Sequence, residues 1–427
     1  MASNYDAARQ EFVDRINAGV SLGVPFIQKR VNLGTKAITE DARSNGIITL
    51  FVPAGGTGGV EELSTKDGIN NNALNRTQDE ADGKGSASYY KVECYAKNAW
   101  ELISYTTLEA MFKIGKLREN VIQPRINHLC QDIERDVVTR NAFRAGGAVV
   151  ADDSAIGFIA MDKAMAMLQS IKSTGSWTGY ISPMMKSKLG TSAALKNGGF
   201  DVPDEVLRSI YGKQSIGVFA GADWINEPFM PKFVQGESLA KEDTGVTVSV
   251  EVSEQGVDTI ILTGVAGSSV KKGTPFTIEG VYDVTTAGLK AEWLKVFVAQ
   301  ADAAVSGGSA SVKVLPIYFN DDTKGYANNV FVDGSKISAT AVVKGLCSAN
   351  TAYDVALIKE DESFNWTPFT LPDVDGCTNT TSATEDISVQ LASGGTLLTR
   401  KNQMRLDSPY FGDIVDPRAC RLVYVKA

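Results

Sequence analysis

The chain has 427 residues, 43% hydrophobic and 22% charged, which is the composition of an ordinary folded protein with room for two or three structural units. Its formal net charge of -8 argues against a dedicated nucleic-acid binder, because such proteins carry a basic surplus. No apolar run approaches the roughly 18 residues that cross a bilayer. The first residues, Met1 to Asp6, also lack the pattern of a secretion signal, so we expect a chain that folds in a cytoplasm and has no membrane partner.

The first 105 residues predict an arm followed by a protruding hairpin. Residues 1–45 contain a short amphipathic helix, in Ala7 to Ala18, whose apolar stripe is too small to form a core alone. Residues 46–105 contain two strands, Ile47 to Val52 and Tyr89 to Tyr95, joined by a long polar connection. A connection of this length is usually functional or loose. Contact with a neighbouring subunit is the more specific interpretation of the hairpin, and a loose surface loop is the alternative.

Residues 106–147 carry the strongest helix pattern. One long helix is predicted by apolar residues that step by four, three, four and four positions: Ile122, Ile126, Leu129, Ile133 and Val137. Pro124 suits the first turn of this helix, and the pattern stops at Gly146. Residues 148–235 then mix helices, such as Ile159 to Ile171, with short strands. This mixture predicts an α+β body rather than a regular series of parallel βαβ units.

The composition changes near residue 236. Val246 to Val252 alternates apolar and polar residues with a period of two, which predicts a strand. Further candidate strands follow between glycine-rich turns: Thr259 to Thr263, Pro275 to Tyr282, Trp293 to Ala299, Val312 to Phe319 and Ala339 to Val343. Apart from a short helix near 285–291, residues 236–345 therefore predict an all-β unit inserted into the body. The mixed pattern resumes in residues 346–427, which close with a strand at Ala419 to Val425.

The motifs of catalysis and cofactor binding are missing from the sequence. The single histidine, His128, rules out multi-histidine metal sites and is placed for an ion pair with Asp132, one helical turn further on. The five cysteines lack metal-ligand spacing, and we expect them to be reduced and buried. There is no phosphate-binding loop and no nucleophile elbow. We therefore predict no catalytic residue, no cofactor and no metal ion, and a protein that is not an enzyme.

Two groups of charged residues are candidates for contact between subunits. The first lies in the hairpin and consists of Glu61, Glu62, Lys66 and Asp67. The second lies in the loop 236–245 and consists of Glu237, Lys241, Glu242 and Asp243. Acidic pairs of this kind are more often solvated tips than general acids, and in an assembling protein they form ion pairs between subunits.

The ordered set of elements resembles the major capsid (coat) proteins of tailed bacteriophages, over nearly the whole chain. The likeness is to the short-tailed, podovirus type that infects enteric bacteria and carries an inserted β-domain. The stretches that carry it are Val121 to Ala142, Val270 to Val281, Gly325 to Asn328 and Gly394 to Arg405, followed by Tyr410, Pro417 and Arg418. The resemblance implies an α+β, Hong Kong-type capsid fold. Its parts are an N-terminal arm, an extended loop, a spine helix, peripheral and axial domains, and a barrel-like all-β insertion.

The resemblance also implies a function and partners. Copies of the chain would form hexamers and pentamers of an icosahedral shell, assembled as a procapsid in the bacterial host cytoplasm and found in the virion capsid. The implied partners are the chain itself, a scaffolding protein, a portal protein and packaged double-stranded DNA, held non-specifically on the inner face. The hairpin would lie across the adjacent subunit, and the loop 236–245 would bridge capsomers. An encapsulin-like compartment of the same fold is one alternative, and a hydrolase with a carboxylate pair is another.

Overall fold

The structure is a computed structural model. It describes Gln10, Val13, Asp14 and residues 16–18, 46–53, 64–65, 68–69, 89–106, 123–153, 156–171, 175–191, 217–253, 256–285, 290–318, 330–332, 336–384, 387–396 and 401–427. The positions described before residue 19 are helical, in agreement with the helix predicted there. Part of the predicted mixed segment, residues 192–216, lies outside the described residues. No described helix is long and apolar enough to pass through a membrane.

The described helices are α1 (Gln123–Asn141), α2 (Gly157–Ile171) and α3 (Pro183–Thr191), with 3-10 turns at Asp361–Ser363 and Pro417–Ala419. The strands before α1 are β1 (Ile47–Pro53), β2 (Ser64–Thr65), β3 (Gly68–Ile69), β4 (Tyr89–Tyr95) and β5 (Lys97–Thr106). The body then contributes β6 (Ala148–Ala151), β7 (Trp177–Ile181), β8 (Gly217–Phe219), β9 (Ala222–Asn226) and β10 (Lys232–Val234). The next group is β11 (Thr247–Val248), β12 (Val257–Thr263), β13 (Ser269–Val270), β14 (Pro275–Val284), β15 (Lys290–Ala299), β16 (Ala303–Ser306), β17 (Ser309–Tyr318), β18 (Phe331–Val332) and β19 (Val343–Gly345). The last group is β20 (Ala352–Glu360), β21 (Phe364–Pro368), β22 (Thr378–Ala383), β23 (Ser388–Thr396), β24 (Lys401–Ile414) and β25 (Cys420–Lys426).

These elements confirm the predicted mixed α+β class, and the chain divides into two compact units. The first unit combines Met1–Leu50, Val92–Asn141 and Asp361–Val415. The second combines Phe51–Lys91, Ala142–Glu360 and Asp416–Ala427. Each unit is therefore built from segments that are far apart in the sequence.

The first unit is a five-stranded antiparallel sheet with α1 on it. The long strand β24 pairs with β21 and β23 on one side and with β5 on the other. Helix α1 lies against β5 and β24 and buries Leu129, Ile133 and Val137 completely. Each such aliphatic side chain contributes about 1.5–3 kcal/mol when it leaves water. The helix begins one residue before Pro124, as the sequence predicts, because proline is tolerated in a first turn.

Helix α1 ends at Asn141, earlier than the glycines that the sequence suggested. The Asn141 side chain explains the difference. Its amide nitrogen donates to the carbonyl of Val137 at 2.8 Å, and its amide oxygen accepts from the backbone N–H of Ile414 at 2.8 Å. Asn141 therefore closes the helix and attaches its end to β24 in the same unit.

The second unit contains a seven-stranded sheet in the order β6-β25-β20-β7-β9-β8, with β10 also paired to β20. Helix α2 packs on this sheet against β25 and β6. The hydrophobic core around the helix and the sheet includes Phe158, Met161, Leu168 and Trp224. The predicted helix at Ile159 to Ile171 is confirmed as α2, and the predicted final strand is confirmed as β25. Strand β25 lies between β6 and β20, so the interior of this sheet is completed by a segment that follows the whole insertion in the chain.

The predicted insertion is a nine-stranded antiparallel sheet with its own core. The sheet follows the order β11-β12-β17-β15-β14-β18, and β13, β16 and β19 pair beside this path. Phe276 and Phe297 stack at the centre of the core, with ring centroids 5.8 Å apart. Both ends of the segment lie side by side, because Val234 pairs with Ala352 and β10 runs antiparallel to β20. Adjacent entry and exit points are what an inserted unit requires.

Two strand predictions within the insertion were wrong in extent. The alternating stretch Val246 to Val252 forms only the short β11 and two isolated bridges, from Thr247 to Val342 and from Val252 to Ile337. The strand predicted at Ala339 to Val343 begins only at Val343, because Thr340 has a positive φ of 81° and the N–H of Ala341 closes a turn onto Ser338. The helix predicted near 285–291 falls partly outside the described residues, and Lys290 already belongs to β15.

A buried group of charges joins the insertion to the last strand of the body. Asp283 of β14 accepts from the ammonium of Lys295 at 2.7 Å and from the guanidinium of Arg421 at 3.0 Å, and these three side chains are almost fully buried. Burial opposes ionisation of Asp283, but the charges of Lys295 and Arg421 outweigh it and hold the pKa of this carboxyl below its usual value. Burial lowers the pKa of Lys295 to about 8, and Asp283 partly offsets that effect. We call Asp283, Lys295 and Arg421 the buried charge trio. Its stability requires all three side chains.

Replacing Arg421 with leucine should destabilise the protein strongly. Arg421→Leu leaves Asp283 with one cationic partner inside a dry site, and losing one partner of a buried ion pair costs about 3–5 kcal/mol. Urea denaturation followed by fluorescence would measure the change in the free energy of unfolding. The matched control is Lys336→Met, which removes a surface pair with Glu251 and should cost under about 1 kcal/mol. Equal effects of the two substitutions would contradict the stabilising role of the buried charge trio.

Candidate interaction surfaces

The base of the predicted hairpin is present in the structure. Strands β1 and β4 coincide with the two predicted strands and pair with each other as a two-stranded sheet. Within the connection, β2 and β3 form a small antiparallel pair. The candidate contact residues Glu61, Glu62, Lys66 and Asp67 lie outside the described residues, so their role between subunits stays a prediction.

The loop 236–245 forms the neck of the insertion. The ammonium of Lys241 lies 2.6 Å from a carboxylate oxygen of Asp152, and the backbone N–H of Lys241 donates to the carbonyl of Cys347. Glu242 accepts from the backbone N–H of Ala349 at 2.9 Å. Asp243 accepts from the backbone N–H of Ala240 at 3.1 Å. Glu237 is exposed.

These contacts also shift the pKa values of two charged side chains in the neck. The hydrogen bond to Asp152, together with its charge, raises the pKa of Lys241. The backbone N–H of Ala349 lowers the pKa of Glu242. Three of the four charged residues that were predicted to bridge capsomers thus have partners within their own chain. Their contact with another subunit stays a prediction.

Strand β5 is an edge strand with an unusual distribution of side chains. It pairs with β24 over its full length, from Lys97 opposite Tyr410 to Thr106 opposite Lys401, and has no other strand partner in the described part of the chain. A strand paired on one side presents a row of backbone N–H and C=O groups to other chains. Proteins normally shorten, charge or cover such edges, so this ten-residue strand, paired on one side only among the described residues, is a candidate surface for a partner.

Strand β5 exposes apolar side chains on one face and buries a charged side chain on the other, which reverses the usual pattern of a strand. Trp100 and Leu102 point outward and are 56% and 45% exposed, whereas Glu101 points inward and is 7% exposed. The guanidinium of Arg405 lies 5.3 Å from the centre of the Trp100 ring, which places a cation over this apolar face. We call the exposed surface formed by Trp100, Leu102 and Arg405 the β5 face. Sequence reasoning missed it, although the segment Trp100 to Ile103 held a signal, because a glutamate alternating with exposed apolar residues is unusual in a strand.

A second group of side chains meets where α1 crosses β5. The imidazole Nδ1 of His128 contacts Oε1 of Glu101 and lies 3.3 Å from Oδ2 of Asp132. The contact between His128 and Asp132 that the sequence predicted is therefore present, and it is an ion pair when the imidazole is protonated. Its second carboxylate, Glu101, was missed because it comes from another element. Glu101, His128 and Asp132 form the His128 cluster, the one group of three potential metal ligands found among the described residues.

Comparisons with known proteins give structural likeness at low identity. No protein-family model and no curated protein matches the chain. A solved structure from Mycobacterium phage Che8 is 8% identical, covers 94% of this chain and 90% of its own, and has a TM-score of 0.42. The capsid structure of Cyanophage P-SCSP1u is 8% identical with a TM-score of 0.42, and covers 89% of this chain and 84% of its own. A virus-like particle from Pyrococcus furiosus is 8% identical, covers 99% of this chain and 100% of its own, and has a TM-score of 0.38. Likenesses at this level carry no functional argument, so the function is argued from this chain's own residues.

Weakening the β5 face should reduce self-association without unfolding the chain. The double substitution Trp100→Thr and Leu102→Thr keeps residues that favour strands but removes most of the exposed apolar area. We expect at least a tenfold higher protein concentration for association, measured by analytical ultracentrifugation. The control Ile261→Thr changes a residue of β12 that is 40% exposed and should leave association unchanged. Unaltered association of the double variant would show that this face does not mediate it.

Proposed function

We propose that this chain is a major capsid protein, which self-assembles into an icosahedral shell around the double-stranded DNA genome of a tailed phage. The observation that carries the proposal is the open edge of β5 with its outward Trp100 and Leu102. This edge continues directly from β4, since Ala96 alone separates the two strands. The hairpin and the open edge thus form one ribbon from Tyr89 to Thr106 that offers both backbone and apolar groups to a second copy of the chain.

The energetics of the ribbon support a second copy as its partner. A two-stranded sheet is only marginally stable by itself in water, and β1 pairs with β4 alone in its sheet. Covering Trp100 and Leu102 removes apolar area from water, which contributes about 25 cal/mol per Å². In an isolated subunit the base of the hairpin buries Ile48, Leu50 and Cys94, but Trp100 and Leu102 stay in water. Association between copies covers these two side chains, and it also hides an edge that would otherwise promote aggregation.

The proposed partners follow from the resemblance to tailed-phage coat proteins. They are the chain itself in hexamers and pentamers, a scaffolding protein during assembly in the host cytoplasm, and a portal protein. The packaged DNA would contact the inner face of the virion capsid non-specifically. The net charge of -8 argues against tight DNA binding of either kind, because neutralising phosphates needs a basic surplus. In this proposal the protein has a structural role and not an enzymatic one.

Among the charged residues predicted for subunit contact, the neck of the insertion favours Glu237. Lys241, Glu242 and Asp243 are engaged with Asp152 and with backbone N–H groups of their own chain. An ion pair to another subunit would have to compete with these bonds. Glu237 is exposed at the start of the same loop and is the residue we propose for contact there. Glu61, Glu62, Lys66 and Asp67 remain the candidates in the hairpin.

An encapsulin-like compartment is the alternative function for the same kind of assembly. The inserted nine-stranded sheet favours the phage capsid, because the compartments that the chain resembles generally lack such an insertion. The content of purified particles separates the two. DNA protected from nuclease supports the capsid, and an enclosed enzyme supports the compartment.

The shell function predicts closed particles from the full-length chain. Expression with and without the scaffolding protein from the same genome, followed by electron microscopy, should show closed shells in its presence and fewer or irregular ones in its absence. The Trp100→Thr and Leu102→Thr double variant serves as the assembly-deficient comparison, and Ile261→Thr as the matched control. Finding only monomers of the parent chain under every salt and partner condition would contradict the proposal.

A further inference from the structure

The His128 cluster brings three different potential metal ligands to one point. His128 and Asp132 are four residues apart on α1 and therefore share a face, while Glu101 reaches them from β5. Their ligand atoms, Oε1 of Glu101, Nδ1 of His128 and Oδ2 of Asp132, all lie within 4.8 Å of one another. Distances of this size become those of a common coordination sphere after small side-chain adjustments, because Zn²⁺ binds nitrogen and oxygen ligands at about 2.0–2.2 Å.

Two arginines orient the carboxylates of this cluster. Arg125 contacts Oε2 of Glu101 at 3.3 Å and leaves Oε1 directed to His128. Arg135 contacts Oδ1 of Asp132 at 2.7 Å and leaves Oδ2 directed to His128. Each carboxylate thus uses one oxygen for an arginine and presents the other to the centre. Hydrogen-bond donors outside a coordination sphere hold metal ligands in this manner.

From this convergence we propose that the His128 cluster binds one Zn²⁺ ion through Glu101, His128 and Asp132. Solvent completes the coordination, because the side chain of His128 is 55% exposed and that of Asp132 is 27% exposed. The imidazole nitrogen favours zinc over magnesium or calcium, which prefer oxygen ligands alone. The charges of Arg125 and Arg135 weaken the attraction for a dication, so binding is weaker than at a site without them.

The proposed ion takes the place of a proton. When His128 carries a hydrogen on Nδ1, that N–H is donated to the carboxylates of Glu101 and Asp132. Zinc binding releases the Nδ1 proton of an imidazolium to solvent. In a neutral imidazole the Nδ1 hydrogen leaves as Nε2 gains one from solvent, so in both cases the lone pair of Nδ1 binds the metal and Nε2 carries a hydrogen. The bound ion would join α1 to the open strand β5 within the first unit. The proposal is therefore independent of the shell function, since it concerns the folding of one chain.

Equilibrium dialysis of the full-length protein against Zn²⁺ tests the site. We expect one zinc per chain, with the affinity lowered at least tenfold in His128→Ala and in Asp132→Asn. Asp162→Asn is the matched control, because Asp162 is an exposed aspartate on a helix, α2, outside the cluster. Its affinity for zinc should equal that of the parent. Circular dichroism verifies that each variant is folded, and Asp132→Asn, which keeps the size of the side chain, serves if His128→Ala does not fold.

A spectroscopic measurement identifies the ligand atom directly. The chain has a single histidine, so one imidazole contributes to a histidine-labelled nitrogen NMR spectrum. Zinc should shift the Nδ1 signal of the parent and leave the hydrogen on Nε2. Two results would overturn the proposal: no zinc bound at one ion per chain, or zinc bound equally by the parent and both cluster variants, which would place the ion outside the His128 cluster.

Discussion

The second unit depends on one electrostatic constraint: the charges of Asp283, Lys295 and Arg421 must be buried together or not at all. Asp283 and Lys295 belong to neighbouring strands of the insertion, and Arg421 belongs to the strand beside β20 in the body. A carboxylate and an ammonium in a dry interior are costly unless each is paired and hydrogen-bonded. Arg421 therefore ties the insertion to the body in one arrangement, while the paired β10 and β20 hold its two ends together.

Close backbone packing and a further hydrogen bond also attach the insertion to the body. At Gly345, a Cβ atom would lie 2.1 Å from the carbonyl oxygen of Leu239, so only glycine fits where the insertion rejoins the body. Tyr424 of β25 donates from its hydroxyl to the carbonyl of Gly273 at 2.5 Å. The insertion thus has a core of its own and is also fixed to β25 by polar contacts.

Periodicity was sufficient to predict elements whose environment is simple. The helices α1 and α2 each bury one set of side chains at a regular spacing, whereas β25 is a continuous run buried on both faces. Periodicity failed where local geometry decided the outcome. Thr340 adopts a turn conformation despite its strand preference, and Asn141 ends α1 through side-chain bonds that require β24 to be in place.

The interaction surfaces were less predictable, because they depend on residues from separate elements. Glu101 is 27 residues before His128, and nothing in their spacing indicates that they meet. The outward position of Trp100 follows from the register of β5 on β24, a pairing across roughly 300 residues of chain. The charged loop 236–245 was predicted from its composition, but composition does not reveal whether a charge bonds within its own chain.

The central position of β25 has a consequence for the order in which the protein is made. A ribosome releases β6, β7 and the complete insertion before it releases residues 420–426, so the insertion can collapse around Phe276 and Phe297 during synthesis. The seven-stranded sheet must wait, because β6 and β20 have no neighbour between them until β25 arrives. Asp283 and Lys295 lack their third partner during that interval, because Arg421 emerges with β25. Nascent chains therefore carry an unfinished sheet until β25 has been synthesised.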